Sequence, residues 1–222
     1  MEIIKAIENL DNIIKKVETS RLKIDNHLIV QIVAVSKYST SENIKSLYNA
    51  GQRAFGENKI QDFKQKKNQL SDLPISWHFI GTLQKNKINN LIDLNPVLFH
   101  SLDNMELVKE LDKKLKAKNK TMNCLLQINS AYEDTKSGFN PKDVLDIYEE
   151  IKIKYTNIKL KGVMSIGANT KDNDLVTESF KITKNIFDNI DGEICSMGMS
   201  NDFESAILSG SNMIRVGSLL FK

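Results

Sequence analysis

Two residues that could do chemistry stand at or inside predicted buried strands. Lys37 directly follows the apolar run at residues 32–36. An amine beside apolar walls has a depressed pKa and can form a Schiff base with an aldehyde. Arg215 lies within the apolar run 213–216, where a permanent charge is costly unless it meets a ligand or a partner. Lys37 is therefore a candidate covalent-binding residue, and Arg215 is either a ligand contact or half of a buried ion pair.

Two loops rich in glycine and serine follow the last two predicted strands. Gly198 and Ser200 belong to the first loop, and Gly217 and Ser218 to the second. Such residues let the backbone approach a ligand and offer N–H groups and hydroxyls to an anion. The same residue types also form ordinary turns and helix caps. Two such loops at neighbouring strand ends nevertheless favour a phosphorylated ligand.

The elements that position these residues alternate regularly along the chain. Eight short apolar segments predict strands at 31–36, 53–56, 75–80, 97–101, 122–128, 160–166, 193–197 and 213–216. Helix-start signals precede three of the helical patterns between them: Ser39 with Glu42, Asp103 with Glu106, and Asn140 before Pro141. This pattern predicts an α/β fold, a single-domain (β/α)8 TIM barrel over residues 1–222, with an open doubly wound sheet as the alternative.

An additional helix is predicted at the N-terminus, because apolar residues recur three or four positions apart within the first 22 residues. Little sequence follows the eighth predicted strand. We therefore expect the N-terminal helix to cover the part of the barrel that a full eighth helix would otherwise cover.

Composition excludes several classes of protein. The 222 residues are 41% hydrophobic, enough for a continuous core, so disorder of the whole chain is excluded. A net charge of +3 does not by itself indicate a nucleic-acid or membrane partner. No signal peptide or spanning segment is predicted, which favours the cytoplasm. Cys124 and Cys195 lack metal-ligand spacing, so we expect reduced, packed thiols and no metal.

The three histidines are weaker candidates for catalysis. His78 lies inside a predicted strand, and a histidine that lines the core is the favoured interpretation over a general base. No partner is predicted for His27 or His100. The lysine-rich segments 59–67 and 109–120 follow helical spacing and are expected to be solvated helix faces.

Several short motifs together resemble the pyridoxal phosphate homeostasis proteins, the YggS-like family of barrels that bind pyridoxal 5′-phosphate (PLP). They are AVSK at 34–37, FGEN at 55–58, WHFIG at 77–81, LQKNK at 83–87, HSLD at 100–103, KSGF at 136–139, SMGMSND at 196–202 and IRVGS at 214–218. The chain departs from the family at Thr82, where histidine is common, and after residue 222, where a short tail is usual. We expect both departures to be peripheral.

The resemblance implies a barrel like the N-terminal domain of alanine racemase, with PLP bound covalently to Lys37 as an aldimine. It also implies a phosphate held by Ser200, Gly217 and Ser218, and Arg215 facing the pyridine nitrogen. Asn58 would lie close to the cofactor, and Met199 would pack near its ring.

The resemblance further implies a non-catalytic carrier that keeps PLP available to apo-enzymes, because an arginine at the ring nitrogen makes the ring a weak electron sink. The related racemases take a second acid–base tyrosine from a β-domain for which this sequence has no room. The alternative is a small racemase-like enzyme that uses Lys37 with Tyr38 or His78. A barrel acting on sugar phosphates is a third interpretation. A monomer is favoured, and Lys136 is a hypothetical second amine near the rim.

Overall fold

The computed structural model describes residues 1–133 and 135–222 and contains a closed barrel of parallel strands in the order β1 to β8. The strands are β1 Gln31–Val35, β2 Ala54–Glu57, β3 Ser76–Phe79, β4 Leu98–Leu102, β5 Met122–Ile128, β6 Ile158–Ser165, β7 Ile194–Ser196 and β8 Met213–Val216. Strand β1 pairs with both β2 and β8, and Val33 lies opposite Arg215. The predicted barrel is therefore confirmed, and the open sheet is wrong.

Helices separate the strands and cover the outside of the barrel. They are α1 Ile3–Arg21, α2 Ser41–Asn49, α3 Ile60–Gln69, α4 Ile88–Leu94, α5 Met105–Ala117, α6 Val144–Lys154, α7 Asn173–Phe187, α8 Phe203–Leu208 and α9 Ser218–Phe221. Short 3-10 turns at Lys85–Lys87 and Pro141–Asp143 precede α4 and α6.

The predicted N-terminal helix is present and covers the barrel where α9 has only four residues. Helix α1 packs against α2, α8 and α9, and its buried stripe includes Leu10 and Ile13. The side-chain amide of Asn9 donates hydrogen bonds to the backbone carbonyls of Leu220 (3.2 Å) and Lys222 (2.8 Å). Helix α1 thus holds the segment after β8 in place.

Two of the three predicted helix caps are shifted by one residue. Thr40, not Ser39, accepts the Asn43 N–H at the start of α2. Asn104, not Asp103, accepts the Leu107 N–H at 2.8 Å. Each true cap has the extended backbone that places its side chain over the first turn. At the third site, Asn140 accepts the Lys142 N–H, as predicted, in a 3-10 turn that precedes α6.

The barrel interior is apolar in one layer and polar in the next. Six buried apolar side chains form a cluster of their own: Val33, Ala54, Leu98, Leu125, Met164 and Met213. Trp77 and Phe79 belong to the outer core between the barrel and the helices, so the strand alternation turns His78 inward. Arg215 is likewise buried, at 5% exposure. Charged and polar side chains therefore lie inside the barrel beside the apolar layer.

Further predictions concern thiols, membranes and metals. Cys124 and Cys195 are buried free thiols, as predicted, and burial raises the pKa of Cys195 to about 12. Among the helices described, none has the length and apolar character needed to cross a membrane. In the same part of the chain, no group of three or more His, Cys, Asp or Glu side chains could hold a metal ion.

Candidate functional site

A cleft of about 1360 Å³ opens where the strands end at their carboxyl termini. Its walls come from the loops after β1, β2, β3, β5, β6, β7 and β8. All seven binding residues predicted from the sequence line it: Lys37, Asn58, Met199, Ser200, Arg215, Gly217 and Ser218. The barrel therefore gathers residues separated by up to 181 positions around one space that a small ligand could enter.

Lys37 occupies a tight turn just beyond β1. The Ser39 N–H donates to the Ser36 carbonyl at 2.8 Å, which places Lys37 and Tyr38 at the two central positions. The Lys37 Nζ lies 5.0 Å from the centre of the Tyr38 ring and makes no hydrogen bond or ion pair within the described chain. Lys37 is exposed, because the turn carries it past the end of the strand.

A buried ion pair lies directly behind this turn. The Glu57 side chain is fully buried, and its Oε1 accepts from Lys66 Nζ at 2.7 Å and from Ser36 Oγ at 2.6 Å. Lys66 Nζ also donates to the Ser36 carbonyl at 2.7 Å. Because Ser36 precedes Lys37 and Glu57 precedes Asn58, this triad fixes the backbone that carries two of the predicted binding residues.

Asn58 is held in place by a close backbone contact. A methyl group added at Gly81 would lie 2.0 Å from the Asn58 carbonyl oxygen, so a larger residue could not fit without moving that carbonyl. The next residue, Thr82, also lines the cleft. The expectation that this departure from the family is peripheral is therefore wrong, because the turn after β3 faces the cleft directly.

The two glycine–serine loops touch each other. The Gly217 N–H donates to Ser200 Oγ at 3.2 Å, which leaves the Ser200 hydroxyl hydrogen free to donate. Gly198 has a positive φ of 91°, and a methyl group there would lie 2.6 Å from the Ala206 Cβ. Glycine is therefore needed at 198 for both conformation and space.

These loops also supply unused backbone donors. Within the described residues, N–H groups in both loops have no acceptor, among them those of Ser200, Asn201, Ser218 and Leu219. Successive free N–H groups of this kind form a concave anion site. The predicted phosphate-binding residues are thus brought together, and the structure adds the backbone groups of residues 201 and 219.

Arg215 is held by neutral oxygen atoms, not by an ion pair. Its Nη1 donates to the carbonyl and to the hydroxyl of Ser196, at 2.9 and 2.6 Å, and its Nη2 donates to the Ser165 carbonyl at 2.8 Å. The ion-pair alternative is therefore wrong for the described residues. Burial lowers the pKa of Arg215 to about 10, and nearby Asp202 opposes that shift. The guanidinium remains a cation at neutral pH, and its Nε–H has no acceptor among the described residues.

His78 and His100 form a buried pair inside the barrel. His78 Nδ1 and His100 Nε2 are 2.9 Å apart, so one ring donates to the other. The sequence predicts no partner for His100. The structure gives it one, His78, because β3 and β4 are adjacent strands. Burial lowers the pKa of His78 to about 4 and that of His100 well below its usual value. Neither histidine lines the cleft.

Lys136 lines the cleft but is already engaged. Its Nζ donates to Glu133 Oε1 at 2.8 Å and to the Gly167 carbonyl at 2.7 Å. Glu133 Oε1 also accepts the Asn169 N–H at 2.9 Å. The lysine therefore joins the loops after β5 and β6, and a role as a second amine would require it to leave these partners.

Comparison with known proteins identifies the family of this chain. Residues 9–222 match the family described as alanine racemase, N-terminal domain. The pyridoxal phosphate homeostasis protein of Helicobacter pylori is 49% identical over 216 residues, and the match covers 97% of each chain. The chain belongs to the pyridoxal phosphate homeostasis protein family. A second member, from Aquifex aeolicus, is 35% identical over 197 residues, 86% of each chain.

A solved structure similar to this chain has the same fold. PipY of Synechococcus elongatus, described as having PLP bound, superposes with a TM-score of 0.83 at 27% identity. The match covers 98% of this chain and 100% of PipY. The resemblance deduced from the motifs is therefore confirmed at the level of family and fold.

Proposed function

We propose that this chain binds PLP in the cleft, holds it as a Schiff base on Lys37, and serves as a non-catalytic carrier in PLP homeostasis and supply. One observation carries the proposal: an amine, a buried guanidinium and two loops with free N–H donors all line one cleft. Membership of the family and the PLP-bound state described for PipY support it. Residues 1–222 would form one PLP-binding domain, and apo forms of PLP-dependent enzymes would be the recipients.

The residues present fit the phosphate of PLP. The free N–H groups of both loops and the hydroxyls of Ser200 and Ser218 offer donors to a dianion. A methyl group at Gly217 would lie 3.1 Å from the Val35 carbonyl oxygen, so glycine keeps this backbone close to β1. Met199, which is 39% exposed beside these donors, would pack against the ring, and Asn58 would lie near it.

PLP supplies an aldehyde, and Lys37 supplies the nucleophile. The Lys37 amine nitrogen would form a C=N bond with the aldehyde carbon, and the aldehyde oxygen would leave as water after two proton transfers. No oxidant or reductant is needed, and water reverses the step. The exposed position of Lys37 gives water access to that bond, which suits reversible carriage.

The presence of Arg215 in the cleft is unfavourable for catalysis by a bound PLP ring. A guanidinium has donors and no acceptor, and at neutral pH it does not release a proton to a ring nitrogen. A pyridine nitrogen facing Arg215 would remain unprotonated, and the ring would stabilise a carbanion poorly. For the racemase-like alternative, His78 is buried away from the cleft, so Tyr38 is the remaining second-face residue. Tyr38 lines the cleft beside Lys37, so substitution of Tyr38 tests the racemase-like alternative.

Solvent deuterium exchange separates a carrier from a catalyst. We expect the PLP-loaded protein to exchange the α-proton of alanine no faster than free PLP at the same concentration, as measured by proton NMR in D₂O. Tyr38→Phe should leave this background rate unchanged. Exchange well above the background that disappears in both Lys37→Ala and Tyr38→Phe would contradict the non-catalytic proposal. A sugar-phosphate enzyme would instead show no PLP chromophore at all.

A further inference from the structure

Three carboxylate side chains line the cleft, and they differ in how their charge is balanced. Glu133 pairs with Lys136 at 2.8 Å, and Glu204 pairs with Lys16 at 3.1 Å. Within the described part of the chain, Asp202 makes no ion pair, and the buried guanidinium of Arg215 attracts its carboxylate without contacting it. Its negative charge is therefore the one among the three that no lysine or arginine contacts directly.

Asp202 is built into the turn that carries the anion donors. The Asp202 N–H donates to the Met199 carbonyl at 3.1 Å, and Asp202 Oδ1 accepts the Met199 N–H at 2.6 Å. The first and last residues of the turn therefore each donate a backbone N–H to the other. The unused N–H groups of Ser200 and Asn201 lie at its tip.

This geometry places a carboxylate beside the phosphate donors. Because Asp202 Oδ1 lies 2.6 Å from the Met199 nitrogen, the carboxylate belongs to the same turn as the N–H groups of residues 200 and 201. The carboxylate also occupies the Met199 N–H, which would otherwise be a further donor for an anion. Both effects reduce the attraction of this loop for a dianion.

We propose that Asp202 sets the affinity of the cleft for phosphorylated ligands, weakening the hold on the phosphate so that PLP is released readily. This inference rests on the proposed carrier function. Two negative groups held at the same turn repel each other through partly solvated surroundings. A carrier requires release as well as capture, and the repulsion acts on the phosphate and not on the aldehyde.

Asp202→Asn is the direct test, because it keeps an oxygen acceptor for the Met199 N–H and removes the charge. We expect the Kd for PLP, from absorbance titration, to fall about tenfold, equivalent to ~1.4 kcal/mol. A slower dissociation rate should account for most of this change. The Kd for pyridoxal, which has the aldehyde without the phosphate, should stay within about twofold. Glu204→Gln is the matched control, since Lys16 already neutralises that carboxylate, and it should change neither value.

Unchanged or weaker PLP binding by a folded Asp202→Asn protein would overturn the inference. Equal tightening of PLP and pyridoxal would also overturn it, because the effect would then act through Lys37 or Arg215. If Asp202→Asn does not fold, the exposed Asn201→Asp tests the same repulsion, with an expected PLP affinity about tenfold lower and unchanged pyridoxal binding.

Failure of the proposed function would look different from failure of this inference. If neither PLP nor pyridoxal forms a chromophore with the wild-type protein, the carrier proposal fails. Inorganic phosphate then tests Asp202 alone, through the rise in Tm that the ion produces. A larger rise in Asp202→Asn than in the wild type supports the effect of the carboxylate, and an equal or smaller rise overturns it.

Discussion

Replacing Lys66 with methionine will lower the free energy of unfolding by about 3–5 kcal/mol, because it leaves the buried Glu57 carboxylate without a cation. Glu57 is fully buried, and its Oε2 already lacks a partner among the described residues. After the substitution, Oε1 would keep the Ser36 hydroxyl as its donor. The Ser36 carbonyl would lose the Lys66 ammonium and keep only the Ser39 N–H.

The double variant Glu57→Gln/Lys66→Met shows whether the loss comes from the unpaired charge. We expect it to regain more than half of the stability lost in Lys66→Met, because a neutral amide can be buried at lower cost. Urea unfolding at pH 7 measures all three proteins. As a matched control, Lys67→Met on the same helix should cost much less. A Lys66→Met protein about as stable as the wild type would show that the pair does not support the turn of Lys37.

Acidification from pH 6.5 to pH 4 will destabilise the fold through the buried histidine pair. Burial lowers the pKa of His78 from 6.5 to about 4, so the folded state keeps the ring neutral where the unfolded state protonates it. Stability from this group is therefore complete above pH 6.5 and is lost as the pH falls towards 4. Each pH unit between the two pKa values is worth 1.36 kcal/mol, so His78 alone accounts for about 3 kcal/mol. The pKa of His100 is lowered in the same direction, so the effect increases.

The slope of stability against pH measures this effect apart from the carboxylates, which titrate in both wild type and variants. Between about pH 6 and 5, two histidines protonated only in the unfolded state contribute a slope approaching ~2.7 kcal/mol per pH unit. We expect His78→Gln/His100→Gln to lose most of that contribution in urea titrations. His27→Gln removes an exposed histidine and should keep the wild-type slope. Equal slopes in the double variant and the wild type would contradict the neutral buried pair.

The barrel and the position of the cleft were predictable from the sequence because both depend on local patterns. Apolar runs mark the strands, and parallel strands bring their carboxyl ends to one rim. This reasoning places Lys37, Arg215 and both glycine–serine loops at one site. The caps at Thr40 and Asn104, each one residue from the predicted position, show where prediction from local sequence fails. Neighbouring polar residues can each cap a helix, and only the backbone conformation decides between them.

The interactions that support the site were not predictable in the same way. The Glu57–Lys66 pair joins a strand to the following helix, and the His78–His100 pair joins two strands. The contacts between these side chains depend on the register of the strands and on the side-chain rotamers. Neither follows from the spacing of apolar residues in the sequence. A charged residue at a strand end, such as Glu57, was nevertheless a usable signal, because a buried carboxylate requires a partner.

Trapping the covalent link tests the central claim most directly. The purified protein is incubated with PLP, its near-ultraviolet and visible spectrum is recorded, and borohydride reduction is followed by peptide mass mapping. We predict an aldimine band and one reduced adduct, on Lys37, with no adduct on Lys136. Absence of the band, or label spread over surface lysines, would contradict the account and leave the phosphate-binding loops to another ligand.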